Sequence, residues 1–243
     1  MEDLIVGTMH VQNRYNDLFY DGKENIKYLS QFLERNQIDI LGTQGLIPRY
    51  IDHLKKECNN TYRIVGRARW CNGMFSRTKI NFCNETNSIL SKYKIVMEDT
   101  QYLARIPFYH TCLPRIVTIA DIKVGKEILT FVNTHIEYWE KCQLPQLKKL
   151  LEILENISSK NLIMTGNFNM NVENLLFQNF ISALEDRGIS RVPMNEPTYV
   201  KGDKKETLDH IFYGYGLTYE EPERVYTGGL SDHDAVLTKV KLK

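Results

Sequence analysis

The chain has 243 residues, of which 42% are hydrophobic and 25% charged, with 31 Lys and Arg against 30 Asp and Glu for a formal charge of +1. That composition excludes a disordered or fibrous chain, and the near-neutral balance gives no net-charge argument for nucleic-acid binding. No apolar run approaches the roughly 20 residues of a membrane span, and the start Met1-Glu2-Asp3 with its short Leu4-Ile5-Val6 run does not read as a secretory signal.

In chain order, residues 4–9 form a short apolar run that predicts a buried strand. Residues 25–36 place Ile26, Leu29, Phe32 and Leu33 at helical spacing, and 38–41 predict a strand directly after them. Residues 49–58, just past Pro48, predict a second helix, and 62–66 another strand. The middle is strand-rich. Residues 87–91 are short and apolar, and 115–122 alternate, with Ile116, Thr118, Ala120 and Ile122 on one face and Val117, Ile119 and Asp121 on the other. Residues 127–134 predict their neighbour, joined by a hairpin turn at Val124-Gly125-Lys126. Both faces of these strands are fairly apolar, as in a sheet covered on both sides. Leu144, Leu147, Leu151 and Leu154 mark a helix over 144–156, followed by a buried strand at 161–165 and a helix over 173–186 ending at Gly188. Residues 208–213 and 235–242 supply the last strands. No repeat, low-complexity tract or linker interrupts the chain, so one layered α/β or α+β domain over 1–243 is expected.

The five cysteines, Cys58, Cys71, Cys83, Cys112 and Cys142, are odd in number, widely spaced and free of any C-x-x-C pair. They predict reduced thiols in a cytoplasmic protein. The glycosylation-type triplets Asn59-Asn60-Thr61 and Asn156-Ile157-Ser158 read as chance without a secretory signal.

Polar residues gather at strand ends: Thr8-Met9-His10, Gly42-Thr43-Gln44-Gly45, Asn133-Thr134-His135, Thr165-Gly166-Asn167-Phe168-Asn169, Leu208-Asp209-His210 and Ser231-Asp232-His233. In a packed sheet, strand ends on one edge meet in a crevice, and a crevice lined by His, Asp and Asn is a candidate site. Each piece alone has a plainer reading. Gly-Asn-Phe-Asn suits a turn, Gly45 suits a turn glycine, Asn167 suits a left-handed turn residue, and Asp232 suits a cap. The loop holding Arg67, Arg69 and Trp70 suits base stacking or a surface anchor, and Tyr138-Trp139 suits either the crevice wall or packing under the next helix.

The order and spacing of these motifs resemble the endonuclease/exonuclease/phosphatase superfamily, with the DNase I-like fold. The resemblance runs from about Leu4 to Leu242 and rests on Asp39-Ile40-Leu41-Gly42-Thr43-Gln44, Asn87-Ser88-Ile89-Leu90-Ser91-Lys92, Pro114-Arg115, Asn133-Thr134-His135, Gly166-x-Phe168-Asn169, Leu208-Asp209-His210-Ile211 and Ser231-Asp232-His233. It implies a four-layered α/β sandwich, two mostly antiparallel sheets packed face to face with helices outside. It also implies phosphoester hydrolysis with Mg²⁺ or Mn²⁺, on substrates that in the family include DNA, RNA, phosphoinositides and sphingomyelin. His135, Asn169, Asp209 and His233 stand at the family's catalytic positions, Asp232 at a metal position, and Arg115 beside the ligand.

Three family positions depart. His10 replaces an Asn, Gly45 replaces the main metal-binding Glu, and Asn167 replaces the Asp that orients or deprotonates the attacking water. Glu to Gly removes a ligand outright, and Asp to Asn keeps shape while removing charge and basicity. The expectation is a chain in which the standard metal-dependent reaction is lost or strongly impaired, metal binding is in doubt, and His10 and Arg115 still hold a phosphorylated small molecule or nucleic acid. The competing expectation is an active phosphodiesterase or phosphatase with a rebuilt site, in which His10, Asn169, Asp209 and Asp232 take a softer ion such as Zn²⁺ or Mn²⁺. A third is an interaction module with no pocket ligand. Nothing in the sequence points to an oligomer.

Overall fold

Residues 3–11, 23–68, 85–103 and 114–243 are described by a computed structural model of the chain. Its elements are β1 (Asp3–His10), α1 (Lys23–Arg35), β2 (Ile40–Leu46), α2 (Ile51–Glu57), β3 (Arg63–Val65), β4 (Thr86–Ser91), β5 (Lys94–Tyr102), β6 (Ile116–Val124) and β7 (Glu127–His135). There follow α3 (Glu140–Leu154), β8 (Leu162–Asn167), α4 (Leu175–Glu185), β9 (Ile189–Arg191), β10 (Tyr199–Lys201), β11 (Lys204–Glu206), β12 (Asp209–Gly214), β13 (Leu217–Tyr219), β14 (Glu223–Val225) and β15 (Ala235–Leu242).

One sheet runs β13-β15-β1-β2-β4-β3, with β14 also on β15; the other runs β5-β6-β7-β8-β12-β9, and β10 and β11 form a separate hairpin. Parallel pairs, β1 with β2 and β7 with β8, are flanked by antiparallel ones, so both large sheets are mixed.

Three apolar clusters define four layers. The first packs Ile26, Leu29 and Leu33 of α1 and Leu54 of α2 on Met9 and Leu41 of the first sheet. The second packs Leu147 and Leu150 of α3 and Phe177 and Phe180 of α4 on Val132, Met164 and Phe212 of the second sheet. The third joins the two sheets through Leu4, Val6, Ile40, Phe131, Ile163 and Ile211. Successive strand residues point to opposite faces, so each strand divides its apolar residues between the inner core and a helix layer. That is the expected four-layered α/β sandwich.

Helix ends follow local chemistry. Asn174 caps α4, its side-chain oxygen accepting the Phe177 N–H at 3.1 Å. The helix expected over 144–156 begins earlier, at Glu140, with Pro145 inside it. The leucine stripe starts at Leu144, but the first turn buries a polar residue, Gln143, which the apolar pattern does not register. Strand β5 has no counterpart in the expected elements. It is a sheet edge with mostly exposed residues, so its apolar signal is weak.

Among the described cysteines, Cys58 is a buried free thiol and Cys142 is disulfide-bonded. The reduced-thiol expectation is therefore corrected at Cys142. Disulfides are rare in the cytosol, so the thiol argument for a cytoplasmic location no longer holds. Cys71, Cys83, Cys112 and the loop positions Arg69 and Trp70 lie outside the described residues. No described helix is long and apolar enough to cross a membrane.

Candidate functional site

The site is the polar end of the inter-sheet core. On β1, Leu4 and Val6 face the other sheet, and the same register carries Thr8 and His10 inward at the strand's end. On β2, Ile40 gives way to Gly42 and Gln44; on β7, Phe131 gives way to Asn133 and His135; on β8, Ile163 gives way to Thr165 and Asn167. On β12, which runs the other way, Asp209 precedes Ile211. Register completes the cluster: His10 lies opposite Gln44, His135 opposite Asn167, and Asn167 opposite Asp209.

Below the site, Asn133 ties the sheets together. Its oxygen accepts from Gln44 Nε2 at 2.7 Å, and its nitrogen donates to the carbonyls of Thr43 and Ser88, each at 2.9 Å. Gly42 makes this approach possible, because a Cβ there would lie 2.2 Å from Thr165 Oγ1 and 2.8 Å from Asn133 Oδ1.

Asp209 is fully buried, and its Oδ2 accepts from His233 Nδ1 at 2.7 Å and from Thr198 Oγ1 at 2.7 Å. Burial pushes this carboxyl up, but the charge and hydrogen bond of His233, with the Thr198 bond, outweigh it and hold Asp209 below its ordinary value. Burial likewise pushes His233 down, and the charge and hydrogen bond of Asp209 prevail, so His233 titrates above its ordinary value. The shared proton therefore sits on Nδ1, and Nε2 is the nitrogen left for a ligand.

Asn167 is mismatched to this neighbourhood. Its Oδ1 accepts the Asn169 N–H at 2.9 Å, while its Nδ2 stands 3.2 Å from His233 Nδ1. Both of those partners are donors, so the position suits two acceptor oxygens, a carboxylate, and holds a carboxamide. The left-handed turn expected at Asn167 belongs instead to Asn169, with φ of 53°; Asn167 is the last residue of β8. Asn169 Nδ2 donates to the Ile136 carbonyl at 2.8 Å and lies 3.3 Å from His135 Nε2.

Arg115 is buried behind His135 rather than displayed in the crevice. Its Nη1 donates to His135 Nδ1 at 3.0 Å, and its Nε and Nη2 each reach a Glu137 oxygen at 3.3 Å. Arg is always a donor, so His135 Nδ1 accepts and the ring's proton lies on Nε2. Glu137 is positioned by α3: its N–H donates to Gln146 Oε1 at 2.8 Å and its carbonyl accepts from Gln143 at 3.1 Å. Glu85 completes the acidic surroundings. Burial pushes it up to about 7, Arg115 pulling it down and Glu137 pushing it further up. Sequence reasoning missed Glu85 and Glu137, because a single acidic residue outside a motif looks like any surface charge.

His10 packs against His135 and His233 at ring-centroid distances of 5.2 Å and 4.8 Å. Burial first, then the charge of His233, push its pKa down to about 3. Its buried Nδ1 has no hydrogen-bond partner. Tyr199 lies 4.8 Å from the His233 ring, Lys204 Nζ sits over both Tyr199 and Tyr138, and Tyr138 and Trp139 are exposed.

Mg²⁺ takes oxygen ligands, mainly carboxylates and water; the oxygens near the crevice include the Asp232 carboxylate and the buried, unpartnered Asp209 Oδ1 and Gln44 Oε1, and position 45 adds no side-chain carboxylate to them. Gly45 has no side chain, and its φ of 88° in a register shift between Gln44 and Leu46 is a conformation that disfavours a Glu there. The local group of possible metal ligands among the described residues, His10, Asp232 and His233, holds one carboxylate and two imidazoles.

His210 faces the other way, into the α3/α4 layer, with Phe168, Phe177 and Phe212 around its ring and its Nε2 2.9 Å from the Met170 carbonyl. Burial pushes its pKa down to about 4. The folded state keeps it neutral while the unfolded chain protonates it near 6.5. Stability from this residue is thus complete above pH ~6.5 and lost as pH falls toward ~4. A chain carrying His210→Gln, which can still donate to Met170, is expected to lose about 2 kcal/mol less than the unmodified chain between pH ~6.5 and pH ~5. Urea unfolding at both pH values checks this; equal losses in both chains would contradict it.

The sequence matches the profile of the Endonuclease/Exonuclease/phosphatase family over residues 18–233. No curated protein sequence matches significantly. Among solved structures, an endonuclease/exonuclease/phosphatase from Bacteroides vulgatus aligns at a TM-score of 0.81 with 18% identity, covering 100% of both chains. The mannosyl-6-phosphatase Bt3783 of Bacteroides thetaiotaomicron aligns at 0.76 with 19% identity, covering 98% of this chain and 100% of that one. TDP2 of D. rerio, complexed with a single-strand DNA product, aligns at 0.75 with 16% identity, covering 99% and 100%. At such identities the likeness shows the fold alone.

Proposed function

We propose, from the premise that the chain belongs to the Endonuclease/Exonuclease/phosphatase family, that it binds a phosphate ester at the His10–His135–His233 crevice and lacks the family's Mg²⁺-dependent hydrolysis. The observation that carries this reading is the carboxamide of Asn167, which places a donor against the donor His233 Nδ1–H where the surroundings suit a carboxylate. An amide has no basicity with which to draw a proton from water, and Gly45 offers no side-chain carboxylate to a cation.

The remaining groups suit an anion. His233, held above its ordinary pKa by Asp209, presents an Nε2–H donor in its charged form. His135 carries its proton on Nε2 because Arg115 occupies Nδ1, and that nitrogen lies 3.3 Å from Asn169 Nδ2. Asn169 is fixed beside it by the Ile136 carbonyl. Asp209 acts as the positioning residue for His233. These groups hold a tetrahedral phosphate by charge-assisted hydrogen bonds. The ligand is a phosphorylated small molecule or a nucleic-acid end, a range that fits structural neighbours such as the mannosyl-6-phosphatase and TDP2 with its single-strand DNA product.

The test is calorimetric titration with inorganic phosphate, a sugar phosphate, a nucleoside monophosphate and a 5′-phosphorylated oligonucleotide, with and without Mg²⁺. Binding of at least one ligand, with a Kd that Mg²⁺ leaves unchanged, is expected. Binding that appears only with Mg²⁺, or none across the panel, contradicts the proposal. One observation favours a second reading, an active phosphodiesterase or phosphatase on a rebuilt centre: the grouping of His10, Asp232 and His233.

A further inference from the structure

We infer that His10, Asp232 and His233 form a site for a single divalent transition-metal ion of the Zn²⁺ class, one that discriminates against Mg²⁺. The inference rests on and deepens the phosphate-binding reading: with the ion bound, His233 Nε2 ligates it and the phosphate meets the ion, His135 and Asn169, whereas without the ion the His233 Nε2–H donates to the phosphate directly.

Each of the three residues offers one ligand atom, and these atoms lie within 4.8 Å of one another. Tetrahedral ligation at ~2.1 Å per bond needs donors about 3.4 Å apart, so binding draws them inward by up to about 1.4 Å. Two imidazoles and one carboxylate are a borderline donor set, matched to Zn²⁺ and its neighbours and poorly matched to an ion that prefers oxygen alone. Three protein ligands leave one position of a tetrahedron open, and a phosphate oxygen or water fills it.

Two further observations point to a ligand here. The buried Nδ1 of His10 has no hydrogen-bond partner, which leaves a polar atom unsatisfied beside the cluster. His233 donates its Nδ1–H to Asp209 at 2.7 Å, and Asp209 is anchored in turn by Thr198 at 2.7 Å. That carboxylate–imidazole pairing fixes the tautomer with Nε2 as the metal-facing atom, the arrangement that orients histidines toward metals. His10 enters from the first sheet and His233 from the loop before β15. The departure at His10, a loss for Mg²⁺ chemistry, is a gain of one good ligand for this ion.

The experiment is calorimetric titration of the full chain with Zn²⁺ alone, without any phosphorylated ligand, with competition by excess Mg²⁺. One equivalent is expected to bind, and Mg²⁺ is expected not to displace it. His10→Ala and Asp232→Ala should each weaken binding by more than ~10-fold, and Asp209→Asn by ~10–100-fold. His53→Ala, at a helix surface where His53 pairs with Glu57, should leave it unchanged. Circular dichroism checks that each variant is folded. Absence of stoichiometric Zn²⁺ binding, indifference to His10→Ala and Asp232→Ala, or displacement by Mg²⁺ overturns the inference. Phosphate-ester binding that persists when Zn²⁺ binding fails overturns the ion site and leaves the phosphate reading standing.

Discussion

A chain carrying His10→Asn, Gly45→Glu and Asn167→Asp together is expected to turn over a phosphodiester or phosphomonoester with Mg²⁺ at least ~10²-fold faster than the unmodified chain, because a well-placed general base alone contributes ~10²–10⁴. Asn167→Asp is the step that the surroundings favour. One oxygen keeps the Asn169 N–H and the other meets the His233 Nδ1–H that Asn167 Nδ2 opposes. Gly45→Glu is the step they resist. The φ of 88° at Gly45 imposes about 1–3 kcal/mol of backbone strain on a residue with a side chain. The triple variant should therefore be faster and less stable than the unmodified chain, and His10→Asn with Asn167→Asp alone should keep the stability and recover less of the rate. Initial rates and urea midpoints on the three chains check both halves. A triple variant that folds and stays silent would show that the scaffold has lost more than these side chains.

Arg115→Met is expected to destabilise the fold by about 3–5 kcal/mol, the usual result of leaving one buried partner of an ion pair uncompensated. The guanidinium touches Glu137 through two nitrogens and His135 through a third, with both Arg115 and Glu137 almost fully buried. Removing it leaves a buried carboxylate facing Glu85, itself already pushed up to about 7 by burial. Arg115→Lys should recover only part of the loss, because an ammonium cannot span Glu137 and His135 with one planar fork. The double change Arg115→Met with Glu137→Leu should recover most of it, since an apolar pair of similar volume often equals a buried ion pair. Urea unfolding of the four chains reads this directly. A single variant as stable as the unmodified chain would mean that the pair carries no structural weight.

Much of the site was legible because strands have a period of two. Once Leu4 and Val6 are inward, Thr8 and His10 are inward as well, and the same logic places His135, Asn167 and Asp209. The polar strand ends in the sequence therefore marked the crevice, and the four layers were what the family resemblance implied. Gly45 reads in the sequence as a turn glycine after the strand; it lies instead inside β2, at the register shift between Gln44 and Leu46, where the irregular pairing takes its positive φ of 88°. What escaped lacks such a rule. Glu137 acquires its role from Arg115 and from two glutamines of α3, contacts made at a helix start that the leucine stripe does not reveal. Asn169 rather than Asn167 takes the left-handed conformation, because strand pairing with Asp209 and His135 holds Asn167 extended. Edge strand β5 exposes most of its side chains, and the disulfide at Cys142 depends on proximity that spacing alone does not encode.

The most direct test of the central claim is the Mg²⁺-dependent turnover of the unmodified chain on a generic phosphodiester and a generic phosphomonoester, measured against the same assay without added metal. Rates indistinguishable from the metal-free background are predicted, since neither Gly45 nor Asn167 supplies the carboxylate that Mg²⁺ and the attacking water need. A Mg²⁺-dependent rate that is already comparable to that of the triple variant would contradict the account and make His10, Asp209 and Asp232 parts of a working catalytic centre.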